Sequence, residues 1–476
     1  MNPARSRLHR RQTRCGRTAA GVALAAALFT AASTATAAAP DSALPEQRPD
    51  GAAARAAAEG ADQETWQARF QTTYVRQSKP TFRAAYTGPN SLITERERSY
   101  SLTATAMFGV RPWRGAEIYL DPEMALGLPL SRLTGLGGFP NAELARTAGR
   151  DPTYYLARLY LRQSWSLGGE SQRVESDQNQ LAGSQASRRV VATVGLLPLI
   201  DLFDDNTYSH DGRTQFMNWS LVTHGAFDFA ADARGYSRGA AIEWYHDDWA
   251  VRFARFAMPT ESNGTKLNLA FGRSYGDQLE IERGWQLAEQ PGRIRLLTYR
   301  NRAVMGSFAD ALASGAASGT TPDITAVRRD QSKVGFGINL EQSFGTTGGV
   351  FLRASRHDGR TETFAYAEID RSISAGVLLH GGPWGRGADS VGVAVGRNGL
   401  SSSHRSYLTA GGLAFFLGDG RLDYRPETLL EAFYSMALAP RVWASFNLQR
   451  IENPGHNADR GPVSLFGVRL HTNFSL

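Results

Sequence analysis

Apolar and polar residues alternate along most of this chain, and the terminal segment 463–476 does so most cleanly. From Phe466 one parity reads Phe466, Val468, Leu470, Thr472, Phe474 and Leu476; the other reads Gly467, Arg469, His471, Asn473 and Ser475. Period-two alternation gives a β-strand with a different solvent on each face. Soluble domains usually finish in a frayed polar tail. An aromatic-bearing apolar stripe that runs to the terminus is expected of a closing barrel strand, with lipid outside and water inside. Further strands are expected at 66–75, 99–109, 115–124, 154–166, 188–198, 236–246, 248–257, 275–287, 292–302, 333–344, 349–357, 372–380, 388–397, 427–437 and 440–450. With the terminal strand they make sixteen, an even number suited to an all-β, antiparallel transmembrane barrel.

The connections alternate in length. After even-numbered strands come mostly tight turns, among them 246–248 and 439–441; after odd-numbered strands come long loops at 77–98, 125–153, 199–235, 258–274, 303–332, 358–371, 398–426 and 451–462. Short periplasmic turns opposite long external loops are the build of an outer-membrane barrel. The stretch 167–187 departs from this, being long on the short-turn side. The segment 408–417 has strand character, but assigning it to the excursion 398–426 keeps the strand number even and the sidedness consistent. Tryptophan supports the same topology. Trp66, Trp113, Trp165, Trp244, Trp249, Trp285, Trp384 and Trp443 all fall near short-turn ends, where an interfacial aromatic belt would sit. A soluble core would not favour one strand end. Trp219 is the exception, inside loop 199–235.

Composition narrows the compartment. Residues 1–18 carry six arginines and no acid, then the apolar run Gly21–Phe29 and the small-x-small triplet Ala35-Thr36-Ala37. This reads as an export signal over 1–39, cleaved after Ala37 or Ala39. Residues 40–65 read as a flexible periplasmic leader, and 66–476 as the barrel. Losing six arginines takes the formal charge from +7 to +1, which removes the support for nucleic-acid binding by a basic field. The one cysteine, Cys15, leaves with the signal, so thiolate metal sites, disulfides and cysteine nucleophiles are excluded. Mean hydropathy is −0.33, and no apolar run outside the signal reaches the length of a membrane helix.

Several longer motifs carry a resemblance: YTGPNSL (86–92), FDDNTYSHDGRTQFMNWSL (203–221), EWYHDDWAVRFARF (243–256), RNRAVMGSF (300–308), GDGRLDYRPETLLEAFYS (418–435) and NPGHNADRGPVS (453–464). From about Trp66 onward the chain resembles the bacterial carbohydrate-selective porin family. The resemblance implies a sixteen-stranded outer-membrane barrel passing small sugars by facilitated diffusion, with a homotrimer as the family expectation. Leu476 stands where many outer-membrane barrels end in Phe but keeps the apolar parity, so the terminal strand is still expected to engage the assembly machinery.

A sugar pore needs groups that replace water around hydroxyls, and it must bind weakly enough to release. Loop 199–235, folded inward, is the first candidate for the constriction, through Asp204, Asp205, His210, Arg213, Trp219, Asp228, Asp232 and Arg234. The simpler reading of any one of these charges is solvation on an external loop, or pairing that holds the loop in place. Strand parity adds wall positions: Glu117 and Asp121, Arg158 and Arg162, Glu280 and Glu282, each opposite apolar neighbours. A lipid-facing arginine at mid-bilayer costs about 2–4 kcal/mol, so these should face water, where they could equally brace the wall. No cofactor or metal site is expected, and no enzyme. His246-Asp247-Asp248 and Tyr208-Ser209-His210-Asp211 lack ligand spacing, and Glu280 with Glu282 on one strand face more simply line a wall than flank a glycosidic bond. Two alternatives stay open: a general or anion-selective porin, and a secreted soluble β-rich carbohydrate-binding protein.

Overall fold

The structure, a computed structural model, describes residues 63–144, 149–365 and 367–475. The expected signal, all but the last residues of the leader, and Leu476 lie outside them. Sixteen strands follow one another: β1 (Trp66–Lys79), β2 (Glu97–Val110), β3 (Ala116–Leu128), β4 (Thr153–Val174), β5 (Gly183–Leu197), β6 (Ser237–His246), β7 (Trp249–Ala257) and β8 (Tyr275–Leu287), then β9 (Gln290–Met305), β10 (Arg329–Ser343), β11 (Gly348–His357), β12 (Arg371–His380), β13 (Ser390–Gly399), β14 (Glu427–Ala439), β15 (Val442–Glu452) and β16 (Val463–Ser475). Each pairs antiparallel with its sequence neighbours, and β16 closes on β1 with Phe474 opposite Phe70 and Leu470 opposite Tyr74. Closure leaves no unpaired strand edge, which a hydrocarbon surround would not tolerate.

Period-two alternation decides which way each strand faces. On β16, Phe466, Val468, Leu470 and Phe474 are exposed while Arg469 and His471 are buried inside. On β9 and its neighbours the exposed outer positions include Leu296, Ile281 and Ile338. The outer wall is therefore an apolar band, which a soluble carbohydrate-binding protein could not carry in water. Trp66, Trp113, Trp165, Trp244, Trp249 and Trp384 are exposed around the short-turn rim. Pro122, which cannot donate to the ladder, sits where the β3–β4 register slips between Asp121 and Pro122, a place where a strand proline is tolerated.

One hairpin is longer than the alternation predicts. β4 runs to Val174 and β5 starts at Gly183, with register shifts at Ser166, Gly168 and Ser171. Gly168 and Gly169 take left-handed φ of 93° and 86° there. Most side chains of 166–173 are exposed on both faces, so the segment has no apolar stripe to announce itself. Segment 408–417 belongs to an excursion, as expected: it starts in the last residues of the helix Ser402–Thr409 and contains no strand.

Long loops fill the external half of the lumen. The inward loop expected over 199–235 spans 198–236 and is joined by parts of 129–144, 361–370 and 412–417. Phe139, Phe203, Trp219, Phe227, Phe229, Phe364 and Phe416 form one buried cluster with the inward wall residues Tyr119, Tyr160 and Tyr299.

Candidate solute path

Loop 198–236 has little helix, a 3-10 turn at Leu199–Asp201 and one α-helical turn at Trp219–Val222, so most of its backbone N–H groups need partners elsewhere. Carboxylates on the inner wall supply them. Glu280 of β8 accepts from Asp204 N at 2.8 Å, and Glu341 of β10 accepts from Thr207 N at 2.8 Å. Glu431 of β14 accepts from Met217 N at 2.6 Å and Asn218 N at 3.0 Å. Arg353 of β11 donates through Nη1 to Leu221 O at 2.9 Å, and Arg469 of β16 through Nη1 to Gly212 O at 2.7 Å. Charged acceptors and donors make these the stronger kind of hydrogen bond. Gly337 of β10 lets His224 lie against the wall, because a Cβ there would collide with the imidazole ring.

The fourteen residues singled out from the sequence fall into two groups. Asp204, Asp228, Glu280 and Trp219 are buried braces. Asp204 takes Arg353 Nε at 2.9 Å, and Thr223 and Asn339 donate to its oxygens at 2.8 and 2.6 Å. Burial opposes its ionisation, but Arg353 and His224 outweigh that and hold its carboxyl well below the usual range. Burial in turn pushes His224 down to about 4. Asp228 pairs with Lys333 Nζ at 2.6 Å and accepts from Phe364 N and Ala365 N. Trp219 stacks on Phe229 at 6.2 Å between ring centroids, and its backbone N donates to Phe139 O. Asp232 caps its own turn, accepting from Arg234 N and Tyr236 N, and burial raises its carboxyl.

The second group borders open lumen. Arg158 of β4 grips Asp201 through Nε at 2.6 Å and Nη2 at 2.8 Å and reaches Asp121 at 3.3 Å. Arg162 lies 3.8 Å from Glu117, with its guanidinium 5.6 Å from the Tyr119 ring and 5.5 Å from the Tyr160 ring. Arg213 bridges Glu143 at 2.8 Å and Glu123 at 3.2 Å. Arg234 lies 5.2 Å from the Tyr155 ring. Glu282 receives Arg295 at 2.8 Å and Arg252 at 3.1 Å. Asp205, with 57% of its side chain exposed, stands 3.6 Å from Arg295. His210 is half-buried at the loop's tip, its backbone N bound by Gln215.

Sequence reasoning missed Arg293 and Arg295 of β9 and Glu341 of β10. Arg293 is 46% exposed and lies 3.8 Å from Glu282 and 3.5 Å from Glu341. Strand parity could have found both arginines, since they alternate with Ile294 and Leu296. The resulting surface is a set of guanidinium and carboxylate groups in near balance, with tyrosine faces among them. It offers donors and acceptors to hydroxyls without a net charge of one sign. Among the described residues no group of three or more His, Cys, Asp or Glu could hold a metal ion.

A family model described as carbohydrate-selective porin, OprB family, matches residues 108–474. The high-pH structure of Pseudomonas putida OprB is 15% identical over 89% of this chain and 96% of its own, with a TM-score of 0.66. The low-pH structure of that protein is 12% identical over 86% of this chain and 93% of its own, with a TM-score of 0.46. Pseudomonas aeruginosa OccK2 is 10% identical, covering 86% of this chain and 98% of its own, at a TM-score of 0.43. No curated protein matches.

Proposed function

The chain belongs to the carbohydrate-selective porin, OprB family and is an outer-membrane sugar porin, and from that premise we propose that small neutral sugars cross it passively between loop 198–236 and the arginine-bearing wall of β4 and β9. The observation that carries this is the balance of the accessible groups: Arg158, Arg162 and Arg293 each stand within ion-pair distance of carboxylates. A lumen lined by arginine or lysine alone would suit anions instead. On this reading Glu117, Arg158, Arg162, Asp205, His210, Arg213, Arg234 and Glu282 border the path. Asp204, Trp219, Asp228, Asp232 and Glu280 hold its walls in shape, and Asp121 anchors Arg158 below them. The protein is a channel, and we extend this to no enzymatic activity of its own. The exposed apolar parity of β16 supports its use as the handle for the assembly machinery. A homotrimer is proposed on the family resemblance alone, and crosslinking in detergent tests it.

The test is a liposome swelling series with glucose, a disaccharide and amino acids of similar size. Sugars are expected to enter faster than amino acids; equal rates for all would sink sugar selectivity. Arg293→Ala should lower glucose flux severalfold and shift ion selectivity towards cations, because it leaves Glu282 and Glu341 less compensated.

A further inference from the structure

The turn 175–182 between β4 and β5 belongs to the short, periplasmic side, yet it does not stay there. Gln178 Nε2 donates to Gln71 Oε1 on β1 at 2.8 Å, three strands from the turn's own hairpin. Asn179 Nδ2 donates to Asp121 Oδ2 on β3 at 2.9 Å, and Arg162 Nη1 donates to Asn179 O at 3.4 Å. Leu181 N donates to Tyr119 OH at 3.2 Å, and the Leu181 side chain is buried in the lumen cluster beside Tyr119 and Tyr160. Gln71 and Asp121 each lie five residues inside the short-turn end of their strand and face inward. A turn that touches both must fold back into the barrel. Its base is held by Glu64, which accepts from Ala182 N at 2.7 Å and Ser176 Oγ at 3.0 Å.

We propose that this turn is a second constriction, at which carboxamides of the turn and the carboxylate of Asp121 meet the hydroxyls of a neutral sugar leaving towards the periplasm. The inference rests on the sugar-porin reading and adds a second point of recognition to it. Oδ1 of Asp121 and Oδ1 of Asn179 are buried acceptors with no hydrogen-bond donor from the protein. Both belong to side chains already joined to each other through the Asn179 amide. A sugar hydroxyl is a donor of the kind they lack. The guanidinium of Arg162 and the rings of Tyr119 and Tyr160 lie beside them. Apart from Leu181 and the base held by Glu64, the tip of the turn meets the walls through separate hydrogen bonds of Gln178 and Asn179, which a polyhydroxyl solute can exchange one for one. Asp121 also receives Arg158, which grips Asp201 at the root of the inward loop. One carboxylate thus ties the external constriction to the periplasmic one.

Val174 pairs with Gly183, so the eight residues 175–182 can be replaced by a two-residue Asn-Gly turn that closes the same hairpin. The shortened porin is checked for folding by its heat-modifiable gel shift. Planar-bilayer conductance in potassium chloride is expected to rise about twofold as the second narrowing is removed. In liposomes the disaccharide rate should rise relative to glucose. Asn179→Ala should alter sugar rates while changing conductance little. If the shortened chain fails to assemble, a Gln178→Ala, Asn179→Ala double variant carries the same expectation at smaller size. Conductance and sugar ratios both unchanged in a folded variant would overturn the proposal; raised conductance with unchanged ratios would overturn sugar recognition at the turn. Conductance is read with ions, so a wild type that passes all solutes equally would overturn the parent reading alone.

Discussion

Nearly every cation in this lumen is a guanidinium. Lysine occurs only at Lys79, Lys266 and Lys333, and two of these, Lys79 and Lys333, are buried against backbone carbonyls or carboxylates. A planar fork can hold a carboxylate and still present N–H groups to a passing hydroxyl, which a compact ammonium does less well. Arg158 illustrates this, dividing its donors between Asp201 and Asp121. The same scale assigns Trp219 its task. The residue is 9% exposed and packs in the loop cluster, so its contribution is to the packing of the inward loop. Burying an indole in a packed cluster is typically worth about 3–5 kcal/mol against alanine, but here the loss falls on a loop rather than on the ladder. Trp219→Ala is expected to give larger and noisier single-channel currents while the heat-modifiable barrel band persists. Loss of that band would make Trp219 a determinant of the barrel itself.

At the scale of the element, loop 198–236 is held in place by groups scattered along the chain. Met217 N meets Glu431, and Asp204 meets Arg353; such long-range pairs leave no mark in local sequence. The loop's charges and length did mark it as an inward candidate, but which charge braces and which borders the path depended on these contacts. The β4–β5 extension was hidden for a different reason: water bathes both its faces, so period-two contrast disappears where the membrane ends. Loop docking should also respond to acid. His224 is pushed by burial from 6.5 to about 4, and His456 likewise. A released loop binds the proton more tightly than a docked one, so docking is fully favoured above pH 6.5 and weakens as pH falls towards 4. His404 works the other way on a different excursion: burial opposes its proton, but Asp370 outweighs this and raises it. Acidification across that window is expected to destabilise the docked loop, read as increased open-channel noise. His224→Gln should flatten the response; an identical acid response in that variant would remove His224 from the account.

At the scale of the whole molecule, the barrel is a sheet whose two faces meet different solvents. Arg295 and Leu296 are consecutive, yet Arg295 is buried within the lumen and Leu296 is exposed to lipid between Ile281 and Ile338. Leu296→Arg places a charge on the outer wall and should cost about 2–4 kcal/mol of barrel stability near the midplane. The unfolding midpoint in urea with phospholipid vesicles measures it, and an unchanged midpoint would contradict a lipid-facing Leu296. The closure of β16 on β1 completes the ladder, so the terminal strand carries both a lipid face and lumen positions such as Arg469 and His471.

The sequence by itself determined the strands, their number, their facing and the side on which the long loops lie. Each of these follows from a local rule: period two, turn chemistry, and the preference of indole for an interface. The tertiary structure alone decided how the lumen is filled. It brought Glu280, Glu341 and Glu431 under loop backbone, packed Trp219 into the buried loop cluster, left Arg293 half-exposed between Glu282 and Glu341 and turned residues 175–182 back towards Gln71 and Asp121. Those outcomes depend on which groups from distant strands satisfy one another inside a closed barrel, and burial of polar groups makes that choice only once the barrel has formed.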